Sequence, residues 1–265
     1  MMKKKIVFRI TAAICAAACV VSIGQAVRIH NEYKQGEEEY DHLADILVST
    51  PNTSIYVSKN DPASSDAEHA PIDVNFDLLK EMNVNAVGWL YSEGTLINYP
   101  VVQSTDNSYY LKHLFNDQTN SSGAIFMDAN NSPDLSDINT IIYGHNMKNG
   151  TMFASLANYS TQRYYGQHPV IYYLTPDCDY RIDVFASYET PDASETFSTS
   201  FDSADSYYEY LGHIRDKSLI NVWWVEVLPD DNIVTLSTCG YNFQNSRYVV
   251  QGKVTPLNKA TEDNY

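Results

Sequence analysis

From Ile10 to Val27 the chain runs 18 residues without a charged side chain. Lys3, Lys4, Lys5 and Arg9 precede this stretch and Arg28 closes it. As a helix it would reach about 27 Å, close to the thickness of a bilayer's hydrocarbon core. Its polar content is light: Thr11, Ser22 and Gln25. The lysine cluster favours a cytoplasmic N-terminus, which sends the bulk of the chain outward. Two readings share the segment. One is an uncleaved signal-anchor. The other is a signal peptide cleaved near Gly24-Gln25-Ala26. The length favours the anchor, because a signal-peptide apolar region is typically about 7–15 residues. A lipoprotein reading through Cys19 is weaker, since Ala16-Ala17-Ala18 lacks the leucine such a site opens with.

The charge divides at the same place. The chain carries 17 Lys+Arg against 33 Asp+Glu, and no acid precedes Glu32. Five of the 17 basic residues lie in the first 28, leaving 12 against 33, or net −21, for the rest. Phosphate neutralisation needs a basic face, so nucleic acid is excluded as a partner. With 44% hydrophobic residues, global disorder is excluded as well.

Periodicity predicts a helix over Glu32–Val48, where Tyr40, Leu43, Ile46 and Leu47 share a face. Ser49–Asp73 reads as a linker rich in Ser, Pro, Asn and Asp. A short helix is expected over Asn75–Asn83. Residues 87–91, 97–102, 124–127, 140–143, 169–174, 180–188, 222–227, 233–238 and 247–254 read as strands. Asn107–Phe115, Met152–Tyr159 and an acidic segment, Ser203–Lys217, read as helices. The organisation expected is an anchor with its cytoplasmic tip (1–28), a helical stalk (29–85), a catalytic domain (86–258) and a tail (259–265). The class is mainly β with added helices, as a barrel rather than a doubly wound sheet.

The chain has no CxxC, HExxH, P-loop or dinucleotide fingerprint, so neither a cofactor nor a zinc site is expected, and a carboxylate calcium site is the one metal reading left open. Outside the apolar segment only Cys178 and Cys239 remain. Cys239 ends the apolar run 233–238, a position that exposes a side chain at a rim. A buried structural cysteine and a Cys178–Cys239 disulfide are the alternatives. A thiol nucleophile needs a base or cation nearby. His145 follows the run 140–144, and Arg247 opens the final strand across a plausible hairpin from Cys239. That arginine suits a carbonyl or a developing oxyanion.

Thr235-Leu236-Ser237-Thr238-Cys239, with Arg247-Tyr248-Val249-Val250 downstream, resembles the signature of the sortases. Ile142-Tyr143-Gly144-His145 resembles the family's histidine motif. Three further segments are typical of class B: 99–103 (Tyr-Pro-Val-Val-Gln), 123–128 (Gly-Ala-Ile-Phe-Met-Asp) and 150–153 (Gly-Thr-Met-Phe). The resemblance covers roughly Val87–Pro256. It implies an eight-stranded sortase-type β-barrel with N-terminal helices and a long helix before the last strands. It also implies a cysteine transpeptidase outside the membrane of a Gram-positive bacterium. Cys239 would attack the carbonyl after Thr in the C-terminal sorting signal of a secreted protein. An amine of a cell-wall precursor or pilin would resolve the thioacyl-enzyme. His145 would serve as acid and base, and Arg247 would hold the signal and the oxyanion. Asn107 and Leu111 match the element lining the signal groove, and Tyr143 and Ser237 flank the catalytic pair. Thr196 and Phe197 match the groove wall, but the residues there depart from the family pattern. The signal's sequence is therefore not implied. The mechanism also requires Cys178 to be free.

Two other classes fit the composition. A cell-wall cysteine peptidase or amidase would share the residue types, although papain-like enzymes place Cys before His in the chain, the reverse of the order here. A non-catalytic surface-binding barrel would suit the acidic, tyrosine-rich domain, with its 21 tyrosines.

Overall fold

The computed structural model describes residues 2–51, 69–240 and 242–257, with side chains left out for 2–10 and 13. Most of the expected linker (52–68) and the tail (259–265) lie outside the described residues.

One helix, α1 (Met2–Leu47), spans the apolar stretch and the amphipathic segment that the sequence divides. No proline interrupts it. Its window from Ile14 is apolar and long enough to cross a membrane by length and composition, and none of it is buried. Beyond that window the helix meets the rest of the molecule. Tyr40, Leu43 and Leu47 are buried in the main core. Gly36 permits the approach, because a Cβ there would stand 2.8 Å from Ser122 Oγ. Tyr40 donates a 2.6 Å hydrogen bond to the Gly123 carbonyl and meets Tyr99 edge-on. The C-terminal part of α1 therefore packs as part of the folded body.

A two-stranded ribbon follows: β1 (Val48–Ser49) with β2 (Asp73–Val74). Next comes α2 (Phe76–Met82), with Asn75 capping the Leu78 N–H. The barrel is built from β3 (Ala86–Tyr91), β4 (Asn98–Val102), β5 (Ile125–Met127), β6 (Asn139–Tyr143), β7 (Val170–Leu174), β8 (Asp179–Pro191), β9 (Ile233–Cys239) and β10 (Ser246–Leu257). It closes in the order β10-β8-β7-β3-β4-β5-β6-β9. The β4/β5 and β6/β9 pairs are parallel and the others antiparallel. Before β7 lie a 3₁₀ segment, Phe153–Ser160, and α3 (Gln162–Gln167). α4 (Ala204–Lys217) carries a Ser203 capping box and covers the outer face of β8.

Two expected elements are absent. Residues 222–227 form no strand. The closed barrel offers them no edge, and the Arg215 guanidinium takes the Val222 and Val225 carbonyls instead. Asn107–Phe115 shortens to a single 3₁₀ turn, Tyr109–Leu111. The Asp106 carboxylate caps the start of that turn through the Ser108 and Tyr109 N–H groups, but beyond Leu111 the backbone pairs with 118–120 instead: the Asn120 N–H donates to the Lys112 carbonyl and the Leu114 N–H to the Gln118 carbonyl.

The disulfide alternative fails on topology. Cys178 lies within 3.7 Å of the Leu257 carbonyl, whereas Cys239 pairs with Arg247 at the other end of β10. Ten residues of strand separate them, about 30 Å at roughly 3.3 Å per residue. A disulfide needs Cα atoms within about 7 Å.

Many tyrosines are buried, and burial opposes ionisation of a phenol. It raises Tyr99 to about 12 and holds Tyr40, Tyr188 and Tyr210 well above the ordinary value. Between pH 10 and 12 the unfolded chain gives up protons that the folded chain keeps. Stability therefore falls over that window, by about 1.4 kcal/mol per pH unit for each such group. Absorbance at 295 nm should show the exposed phenols titrating first, and a second block appearing only together with loss of tertiary circular dichroism. Smooth titration of all phenols near pH 10 with the fold intact would contradict the packing.

Candidate active site

Three strand ends meet at one rim. The parallel β6/β9 register sets Tyr143 beside Ser237, and the Gly144 N–H continues the ladder to the Ser237 carbonyl. Two residues beyond Tyr143, the chain brings His145 level with Cys239. The antiparallel β9/β10 register sets Cys239 opposite Arg247. Because side chains alternate along a strand, Tyr143, Ser237, Cys239 and Arg247 share the outer face of the barrel. Cys239 is exposed and His145 half-buried.

His145 is held from two sides. Its Nε2 lies 2.7 Å from the Leu111 carbonyl, and its own carbonyl accepts from the Phe153 N–H. A carbonyl only accepts, so Nε2 carries the proton and Nδ1 is left to exchange one. Gly123 packs beside the ring at φ +58, where a Cβ would come within 2.5 Å of the Tyr110 carbonyl and 3.1 Å of His145 Cδ2. Asn146, the next residue, donates a 2.8 Å bond to the Cys239 carbonyl and ties the histidine loop to the cysteine strand. The Arg247 guanidinium bonds the Ser246 carbonyl at 3.1 Å and stands 3.6 Å from the Asp192 carboxylate.

The remaining candidates divide into groove and support. Tyr143 stacks on Phe197 at 6.4 Å, and its hydroxyl donates 2.9 Å to Asp128. Asn107, exposed, also donates to Asp128, at 2.7 Å. Leu111 is 39% exposed and offers its side chain beside the histidine that its carbonyl holds. Thr196 is fully buried: its hydroxyl meets Tyr188 OH, and its carbonyl accepts from Asn139 and Tyr210. It thus holds Phe197 in place from behind the groove surface. Ser237 is buried, and its Oγ has no hydrogen-bond partner.

The sequence alone singles out neither Asp128 nor Asn146 nor Asp192. Asp128 closes a segment already quoted for its class, and an acid at the end of an apolar strand was the available signal. For the other two, only the folded loops bring them to the site. Among the described residues no group of three or more His, Cys, Asp or Glu is placed to hold a metal ion.

The sequence matches the family described as Sortase, sortase domain, over residues 90–255. It is 34% identical to sortase B of Listeria monocytogenes over 230 residues, 86% of this chain and 92% of the relative. The chain belongs to the sortase family, in its class B branch. Solved structures agree. The Bacillus anthracis sortase B complexed with AAEK1 aligns at TM-score 0.71 and 31% identity, covering 86% of this chain and 99% of that one. The Staphylococcus aureus sortase B–substrate complex aligns at 0.66 and 34%, covering 69% and 85%. This sortase is accordingly a cysteine transpeptidase, and its eight-stranded barrel with helices is the fold of those structures.

The unpartnered Ser237 hydroxyl generates a test. Removing a polar atom that has no partner costs no hydrogen bond. Ser237→Ala should therefore match or slightly exceed the parent in chemical denaturation. A clear loss of stability would show that the hydroxyl already has a structural role.

Proposed function

We propose that this sortase cleaves the C-terminal sorting signal of secreted proteins after Thr and joins the new carboxyl end to an amine. The observation that carries this reading is the alignment of Cys239, His145 and Arg247 on one exposed rim, set by two strand registers. The Cys239 thiol passes its proton to His145 Nδ1, the resulting thiolate attacks the Thr carbonyl, and the C–N bond breaks as Nδ1 gives that proton to the departing amine. A thioacyl-enzyme remains. The incoming amine loses its proton to Nδ1 as its nitrogen displaces sulfur, which returns Cys239 and His145 to their starting forms. Arg247 donates hydrogen bonds to the signal and to the tetrahedral oxyanion. Asp192 keeps the guanidinium at the strand end while no substrate is bound. Asn107, Leu111, Tyr143, Phe197 and Ser237 line or flank the groove, with Thr196 behind it.

The N-terminal apolar helix fits a single-pass anchor, with residues 1–28 as tip and anchor and the catalytic domain outside a Gram-positive cell. Secreted substrates would arrive at that surface, and the amine would come from a cell-wall precursor or a pilin. The substrate-bound S. aureus sortase B supports a substrate groove of this kind in the branch.

The test uses the full-length chain in detergent micelles. Its probe is a fluorogenic peptide copied from the C-terminal sorting signal of a surface protein encoded by the same genome. With an added amine, the product should carry the amine. Cys239→Ala should abolish turnover, and His145→Ala should lower kcat by on the order of 10²–10⁴. Arg247→Lys should cost on the order of 10²–10³, the scale of a lost oxyanion donor. Turnover that survives Cys239→Ala would overturn the mechanism. Hydrolysis with no amine-linked product would mark a peptidase.

A further inference from the structure

Asp128 sits at the end of β5 with only 7% of its surface exposed, and each carboxylate oxygen accepts from two donors. Oδ2 takes the Tyr143 hydroxyl at 2.9 Å and the Asn107 amide at 2.7 Å. Oδ1 takes the Asn130 N–H at 2.9 Å and its side-chain amide at 3.0 Å. The backbone is fixed as well. The Asp128 N–H donates to the Ile141 carbonyl, and the Asp128 carbonyl accepts from the Gln103 amide at 2.8 Å. Two residues that flank the groove, from different parts of the chain, are thus joined through one oxygen.

The consequence is chemical. A carboxylate is acceptor-only, so it dictates which way its neighbours point. The Tyr143 hydrogen is directed at Asp128, which leaves the phenol oxygen as an acceptor. The Asn107 amide is fixed at both ends, because its Oδ1 accepts from the Ala129 N–H at 2.8 Å. Its amide nitrogen keeps one further N–H. One acceptor and one donor are therefore set at fixed places, the pattern that matches the N–H and C=O of a passing peptide group. Without an acceptor-only partner, a phenol rotor and an amide flip would leave that pattern undefined.

We propose that Asp128 is a positioning residue that fixes the hydrogen-bond polarity of the signal groove through Tyr143 and Asn107. The proposal rests on the sortase reading and deepens it. Asp128 touches neither the scissile bond nor the nucleophile. Its removal weakens recognition of the signal and leaves the acyl-transfer chemistry in place.

The experiment measures kcat and KM for the same fluorogenic peptide with the full-length chain. The variants are Asp128→Asn, Tyr143→Phe and the two combined. Asp128→Asn turns one acceptor into a donor; the backbone Asn130 N–H cannot turn away, so the remaining oxygen stays with it and the new NH2 faces Tyr143 and Asn107. KM should rise about tenfold, the scale of losing a hydrogen bond to a charged group. The alkylation rate of Cys239 by iodoacetamide and KM for the amine should stay within twofold, readouts that general loosening of the fold would move together. Tyr143→Phe, a half-buried change that keeps the ring packing, should raise KM by a similar factor. The double variant should fall well short of the product of the two factors, because the Tyr143 contact is shared and only the Asn107 branch is left to lose. If Asp128→Asn does not fold, Tyr143→Phe still decides: an unchanged KM there overturns the proposal. Additive effects, or a fall in kcat and alkylation in step with the KM change, overturn it too. Turnover surviving Cys239→Ala would instead fell the sortase mechanism itself.

Discussion

The parallel pairing of β6 with β9 is what brings the candidate catalytic side chains to one rim. Parallel neighbours run in the same direction, so both strands end at the same rim. β10 then returns antiparallel beside β9 and starts where β9 stops. One strand end, the next strand's end and the following strand's beginning are thereby stacked. No loop has to be ordered to bring Cys239 level with Arg247, because the ladder hydrogen bonds set that register. A one-residue slip would send Cys239 to the opposite face of the barrel.

A buried polar network beneath the groove sets where the open surface begins. Gln251 accepts from the Tyr188 hydroxyl and donates to the Tyr210 hydroxyl and to Thr235. Asn139 accepts from Thr235 and donates to the Thr196 and Ser198 carbonyls. These bonds fasten the Glu195–Phe197 turn and α4 over the lower part of the sheet face. Above that turn the same face opens, with Ser237 still covered and Tyr143, Cys239 and Arg247 reaching the surface. A satisfied network of this kind positions neighbours more sharply than apolar contact, since every broken bond leaves a buried polar atom stranded. The unpartnered Ser237 hydroxyl lies just past its edge.

The barrel was legible in the sequence because its strands are short apolar runs bounded by turn residues. The placement of Cys239 and His145 at strand ends was legible for a related reason, since each follows such a run. The segment 222–227 misled, because Val-Trp-Trp-Val has strand composition but no sheet edge to join. Residues 107–115 misled because their apolar spacing is helical while the backbone from Lys112 onward pairs with 118–120. The break between the apolar stretch and Glu32 marks a change of surroundings, and the helix itself runs through it. Asp128, Asn146 and Asp192 are ordinary polar residues in sequence. Their relevance comes from partners between 15 and 93 positions away, which periodicity cannot register.

The proposed mechanism requires Cys239 to carry the acyl group while His145 and Arg247 stand beside it. Intact-mass and peptide-mapping spectrometry of the full-length chain probes this step, after incubation with the sorting-signal peptide in the absence of amine. The expected product is an adduct equal in mass to the peptide's N-terminal fragment, mapped to Cys239, discharged by added amine and missing in Cys239→Ala. Cleaved peptide with no adduct at Cys239, or an adduct mapped to Cys178, would refute the mechanism.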